Sequence, residues 1–330
     1  MNEFKSALLD ACRQADNILI TSHMSPDDDS VSSTLACKYF LQSELGVDAS
    51  IIYEGSSSHR WNDFSGFEQL TFVEDLSESL QAADVILFVD ANELSRFTQQ
   101  EVSLSAKTFC LDHHVTEGHD FDFAVIDETK TSASQVVYEV LYEGEVDAQA
   151  AKYLLLGILG DTGNFRYINK QKAGVFLIVK DLVESGDIDI DAYQQGYGGM
   201  SQNEFTVFSK LMANATVANH DSWPTHAYSY ITKEQAEGCA DEDISGAAHV
   251  FVSWARSIKG VEWTFVLTPR STGLTACSFR SVSVNVRHIA EGLDVGGGHD
   301  RAAGARFEVS PQEALKQILD YISNNKPEFT

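Results

Sequence analysis

Five consecutive apolar residues, Val85–Val89, lie between Asp84 and Asp90. A run this short and this uniformly apolar leaves no face for water, so it reads as a strand buried on both sides. Comparable runs are Ile18–Ile20, Ala49–Tyr53, Leu70–Val73, Thr108–Leu111 and Phe121–Ile126. Helical spacing of apolar positions separates or follows them over residues 3–16, Val31–Leu45, Leu76–Ala82, Ser132–Leu141, Ala148–Leu159 and Lys172–Ser185. Apolar strands alternating with helices predict an α/β domain, a doubly wound and mostly parallel sheet. Such sheets bind ligands outside the carboxyl ends of their strands.

The pattern changes further along. Residues 187–220 carry little strand character, and Phe205, Phe208, Leu211 and Met212 recur at helical spacing, which predicts a helical linker. From residue 221 the strand-like runs Ala227–Ile231, Val261–Thr268 and Leu274–Arg280 mix with helical Asp243–Ser257 and Gln312–Asn324. This predicts a smaller α+β domain over 221–330, after a first domain over 1–186.

The formal net charge of −26 is uneven. Residues 1–220 hold 13 basic and 35 acidic residues, a net of −22, and residues 221–330 hold 10 and 14, a net of −4. A polyanion is repelled by the first part unless cations neutralise it. The second part is the better place to grip an anionic substrate. No extended Lys/Arg track interleaved with aromatics is found, so no long duplex nucleic acid is expected as a partner. No run approaches the ~18 apolar residues of a membrane span. The N-terminus reads as an amphipathic helix and not a signal peptide. Cys12, Cys37, Cys110, Cys239 and Cys277 are scattered, odd in number and without Cys-x-x-Cys spacing, which fits a reducing cytoplasm.

Four segments set acids or histidines at the ends of these elements: His23, Asp27 and Asp29; Asp90; Asp112, His113 and His114; and Asp161. Each has a plain structural explanation. Pro26-Asp-Asp-Asp29 reads as a capped turn, with Ser30 available to cap the helix from Val31. Gly after Asp161-Thr162 reads as a helix end. Together they repeat one placement, the strand or helix end, and that repetition favours a site. Carboxylates and imidazoles without thiolates suit Mn²⁺ or Mg²⁺. So many acids converge only if cations separate them. Two divalent ions about 3.5–4 Å apart, sharing a carboxylate, serve phosphoester hydrolysis.

The order His23-x-x-Pro-Asp27-x-Asp29, strand-end Asp90, Asp112-His-His114 and Asp161-Thr-Gly163 resembles the DHH phosphoesterase superfamily. Gly296-Gly-Gly-His299-x-x-Ala-Ala-Gly304 is similar to the signature of the DHH-associated C-terminal domain. The resemblance spans nearly the whole chain. The short length resembles the stand-alone nanoRNase/pAp phosphatase and cyclic-dinucleotide phosphodiesterase group. It implies a metal-binding catalytic domain over 1–186 and a substrate-binding domain over 221–330. It implies His23, Asp27 and Asp90 at one metal, and Asp29, His114 and Asp161 at the other, with Asp90 shared. His113 is then the phosphate contact or acid/base group beside Asp112. It also implies two divalent cations, Mn²⁺ as the usual activator with Mg²⁺ or Co²⁺ possible, and a homodimer. Asp28 and Ser32 depart from the family, where Gly is common at both positions.

The glycine signature has its own reading. Gly296, Gly297 and Gly298 let backbone N–H groups approach a phosphate as an anion nest. His299 and Arg301 add charged donors. Arg280 matches the family's substrate-binding arginine. A lone triple glycine would be a flexible loop. The expected function is hydrolysis of short oligonucleotides or dinucleotides, linear or cyclic, to mononucleotides. Alternatives are a pAp-type phosphomonoesterase or exopolyphosphatase, and a nucleotide-binding sensor that no longer turns over.

Overall fold

The structure, a computed structural model, describes the chain apart from residues 1, 2, 25, 58–60, 117, 198 and 221 and the side chains of Ala192 and His299. It divides into two units, Met1–Gly199 and Met200–Thr330. In chain order the first contains α1 (Glu3–Cys12), β1 (Ile18–Thr21), α2 (Asp28–Leu45), β2 (Ser50–Glu54), β3 (Leu70–Val73), α3 (Ser77–Ala82), β4 (Val85–Val89), α4 (Leu94–Phe97), β5 (Lys107–Asp112), β6 (Phe123–Ile126), α5 (Ala133–Val137), α6 (Ala148–Asp161), α7 (Val175–Gly186) and α8 (Ile190–Tyr197).

The apolar runs form one sheet in the order β3-β2-β1-β4-β5-β6, parallel throughout. Side chains alternate across it. Ile18, Ile20, Val85, Leu87, Val89, Phe109 and Leu111 pack with residues of α1, α2, α5 and α6 on one face. Leu19, Ile86, Phe88 and Cys110 pack with Leu76, Leu80 and Phe97 on the other. Both faces are covered, which explains why β4 is apolar at every position. Strand order reverses between β1 and β4. Their carboxyl ends diverge there and leave the crevice in which doubly wound folds bind ligands.

The second unit contains α9 (Gln202–Ala213), β7 (Thr216–Ala218), β8 (His226–Tyr230), α10 (Asp241–Ala255), β9 (Trp263–Pro269), β10 (Thr275–Ser281), α11 (Arg287–Gly292), β11 (Gly296–His299), β12 (Ala302–Phe307) and α12 (Pro311–Asn324). Its mixed sheet runs β11-β12-β10-β9-β8-β7, with only β8 and β9 parallel. The expected linker over 187–220 is not a separate segment. Tyr193 of α8 is buried in the core of the first unit, and Val207 and Leu211 of α9 are buried in that of the second.

One local expectation is corrected. Ser30 does not cap α2. Asp27 does, accepting from the Asp29 and Ser30 amides, and Ser30 Oγ completes the box by accepting from the Asp27 amide. Gly296–Gly298 are β11, an edge strand paired with β12. A Cβ at Gly296 would collide with the Gly304 carbonyl, and Gly298 has φ +137°, so these glycines permit a close strand approach. Among the described residues no helix is long and apolar enough to cross a membrane.

Candidate active site

The carboxyl end of β1 delivers His23, which is buried. The chain then turns into α2, whose N-cap is Asp27. His23 Nε2 lies 3.3 Å from Asp90 Oδ2 and 3.8 Å from Asp27 Oδ2. Asp90 follows β4 directly and has φ +62°, in the left-handed region that Asp enters more readily than most side chains. Its two oxygens serve different neighbours. Oδ2 faces His23, while Oδ1 faces His113 Nε2 at 3.5 Å.

His113 Nε2 also lies 3.0 Å from Asp161 Oδ2 and 3.9 Å from Asp29 Oδ2. The structure therefore places the two imidazoles the other way round from the expected allocation. His113 joins Asp29 and Asp161. His114 bonds through Nδ1 to Asp112 Oδ1 at 2.8 Å and keeps 45% of its side-chain surface open. A carboxylate accepts, so Nδ1 carries the hydrogen and Nε2 is left to face outward. Asp112 is fully buried and takes a second bond, 2.6 Å, from Asn92 Nδ2. Asn92 also donates to the His114 carbonyl at 3.2 Å. Asp112, expected as a catalytic group, holds His114 instead. Nothing in the sequence reading marked Asn92, although it stands two residues after Asp90.

Asp29 is fully buried and is fixed by backbone amides at the start of α5. Ala133 N donates to Oδ2 at 2.5 Å and Ser134 N to Oδ1 at 2.9 Å. Room for it comes from α6. A Cβ at Gly157 would collide with Ser134 Oγ and Asp29 Oδ1, and one at Gly160 would come within 2.6 Å of Asp28 Cβ. These glycines are three apart on one helix face, and the sequence shows them openly as Gly-x-x-Gly ahead of Asp161. Asp28 is held by Trp61, whose Nε1 donates to Oδ1 at 2.8 Å. The extra acid beside the site thus has an indole partner.

The electrostatics follow from the crowding. Burial, then the charges of Asp90 and Asp161, push Asp29 well above its ordinary pKa. The same causes take Asp27 up to about 7, although 55% of its side-chain surface is open and solvent screens part of the effect. Burial also works to raise Asp90, but His113 and His23 outweigh it and hold Asp90 far below the usual carboxylate range. Burial disfavours the charge on His113, yet Asp161 and Asp90 carry it up to about 11. His23 is raised in the same manner, burial opposing and Asp90 and Asp27 prevailing.

Three sets of potential metal ligands overlap here: His23, Asp27 and Asp90; Asp29, His113 and Asp161; and Asp90, Asp112, His113 and His114. Asp90 Oδ1 and His113 Nε2 are buried with no hydrogen-bond partner among the described residues, a cost that a coordinated cation would remove. The donor set therefore fits a hard divalent cation. In the second unit, Arg280 of β10 pairs across to Ala302, and Ser281 N donates to the Arg301 carbonyl at 2.9 Å. Arg280, Arg301 and Gly298 thus lie toward one end of that sheet. Arg301 Nε donates to Thr330 Oγ1 at 3.0 Å. The side chain of His299 lies outside the described residues.

Residues 17–158 match the family described as "DHH family, N-terminal domain". Over 327 residues the chain is 24% identical to the probable bifunctional oligoribonuclease and PAP phosphatase NrnA of Streptococcus mutans, covering 97% of this chain and 98% of that protein. It is 26% identical over 187 residues to a probable manganese-dependent inorganic pyrophosphatase of Streptococcus pyogenes, covering 53% and 58% of the two chains. Among solved structures, an exopolyphosphatase-related protein from Bacteroides fragilis has a TM-score of 0.83 at 24% identity, covering 97% of this chain and 96% of that one. That likeness establishes the fold.

Proposed function

We propose, from the match of residues 17–158 to the DHH family, a phosphodiesterase, dependent on divalent cations, that cleaves short oligonucleotides and dinucleotides to mononucleotides. One observation carries the reading. The two oxygens of Asp90 face two different imidazoles, His23 and His113, each with its own further carboxylates. Two cations sharing Asp90 fit that division, His23 and Asp27 holding one and Asp29, His113 and Asp161 the other. When bound, such cations supply Lewis-acid charge to the phosphoryl group and an activated water.

The chain's own residues do the rest. The amides of Ala133 and Ser134 keep Asp29 in place without side-chain reorganisation. Asn92 and Asp112 fix the orientation of His114, whose half-open ring then offers Nε2 as a contact for the substrate. In the second unit, Arg280 and Arg301 offer guanidinium donors of the kind that suits a phosphate. The alignment with an oligoribonuclease over almost its full length, against only half of the chain for a pyrophosphatase, supports a nucleotide substrate. The PAP phosphatase activity named for that relative supports a second activity here, removal of a phosphate from pAp. Asp28, the departure that would favour a sensor without turnover, belongs to none of the ligand sets and is engaged by Trp61.

The test is a substrate panel with chelated protein and returned Mn²⁺: 5′-pApA, pAp, a cyclic dinucleotide and polyphosphate. AMP released from 5′-pApA is the expected product. Failure to hydrolyse any of the four would sink the proposal.

A further inference from the structure

The residue after Asp161 opens a stretch unlike the rest of its unit. Residues 162–180 contain Arg166, Lys170, Lys172 and Lys180 and no acid, a net of +4, inside a region of 220 residues with a net of −22. The same stretch holds Phe165, Tyr167 and Phe176. Cations interleaved with aromatics are the composition of a contact for single-stranded nucleic acid. Here the segment is short and begins at a proposed metal ligand.

Its backbone is held under strain. Gly163, Asn164 and Phe165 have φ of +55°, +54° and +68°. Three successive left-handed residues ending on a bulky side chain persist only where surroundings enforce them. Thr162 supplies much of that enforcement. Its Oγ1 accepts from the Phe165 amide and its carbonyl from the Tyr167 amide, both at 3.1 Å. Gln194 Nε2 donates to Asn164 Oδ1 at 2.7 Å. The result is a fixed aromatic shelf. Phe165 packs against the core and lies 5.4 Å from the Phe176 ring. The Tyr167 ring covers Gly163, where a Cβ would collide with it. Tyr167 and Phe176 stay 45% and 48% exposed. Lys172 Nζ is engaged by the Lys130 carbonyl at 2.7 Å. Arg166 and Lys170 are exposed and make no ion pair among the described residues.

We propose that this segment is a stacking subsite for a nucleobase next to the scissile phosphate, with Tyr167 and Phe176 as its surface and Arg166 and Lys170 drawing in the adjoining phosphate. The aromatic faces call for a planar apolar group, the cations for an anion, and the position beside Asp161 for the substrate itself. A nucleotide of a short single strand meets all three. The proposal rests on the phosphoesterase reading above and deepens it by giving the base a place.

The test compares kcat/KM, with Mn²⁺, for 5′-pApApA and for an abasic strand with the same number of phosphates. Wild type is expected to favour the base-bearing strand by roughly tenfold or more, the scale of one stacked base. Tyr167→Ala and Phe176→Ala are each expected to cut that preference by roughly tenfold, and Tyr167→Phe to retain it. Arg166→Ala is expected to lower both substrates alike and to flatten the salt dependence. An undiminished preference in both alanine variants, with thermal midpoints near wild type, overturns the proposal, as does loss of preference in Tyr167→Phe. A shift from dimer to monomer on sedimentation of Phe176→Asp, with preference intact, would give the surface to a second copy of the chain and also overturns it. If wild type cleaves neither strand, the reading beneath the proposal falls with it.

Discussion

Asp90 joins the two halves of the site, and its left-handed backbone lets one carboxylate look both ways. The residues that position the others were harder to see in the sequence. Consecutive side chains leaving a strand point in different directions, so Asp112-His113-His114 offers two imidazoles but not which of them turns inward. The turn after β5 decides it, and Asn92 fixes that turn. Removing Asn92 should therefore affect His114 more than the metal ligands. In Asn92→Ala, Asp112 Oδ2 loses its donor while buried, which costs about 1–3 kcal/mol of stability. In that variant kcat is expected to fall while Mn²⁺ affinity, measured by calorimetry, stays near wild type. A large loss of Mn²⁺ binding would mean that Asn92 supports the ligands and not His114.

At the scale of elements, the strands and most helices were legible because both sheet faces are buried and the apolar alternation is strong. Helix starts were less so. Asp27 and Ser30 are both good capping residues, and only the reciprocal bonds show that Asp27 caps and Ser30 completes the box. The triple glycine is ambiguous in the sequence for a related reason. Glycine permits loops and close-packed strands equally, and the small residues of its partner strand, Ala302–Ala305, were the overlooked signal. The packing of α2 on α6 carries a prediction. Gly157→Ala places a methyl against Ser134 Oγ and Asp29 Oδ1. Overpacking of this kind costs about 1–3 kcal/mol, and Asp29 must move. A denaturation midpoint lowered to that extent, together with weakened Mn²⁺ binding, is expected. Unchanged binding would show that α6 does not set the position of Asp29.

Over the whole molecule, the acidity that first suggested repulsion of polyanions is concentrated where the ligand carboxylates lie, and the cation-rich stretch after Asp161 interrupts it. The division into two units was legible from the change in strand pattern. The linker was not, since α8 and α9 are helices of similar character that join different cores. Proton linkage offers a test at this scale. His113, raised to about 11, holds a proton near neutral pH in chelated protein, and Asp27, raised to about 7 before solvent screening, holds part of one. A cation must displace them. Mn²⁺ binding should therefore release protons at pH 7, and apparent affinity should rise between pH 6 and pH 8. Calorimetry in two buffers of different ionisation heat measures the release, and proton uptake would contradict the assignment.

The central claim is a cation pair built around Asp90. Chelated wild type and Asp90→Asn, whose amide tolerates the same left-handed backbone, can be titrated with Mn²⁺ while bound metal and cleavage of 5′-pApA are both followed. Two Mn²⁺ per wild-type chain, with cleavage rising as they bind, and loss of both in the variant are expected. Cleavage that persists in chelator, or a variant that binds two Mn²⁺ and turns over at the wild-type rate, would contradict that claim.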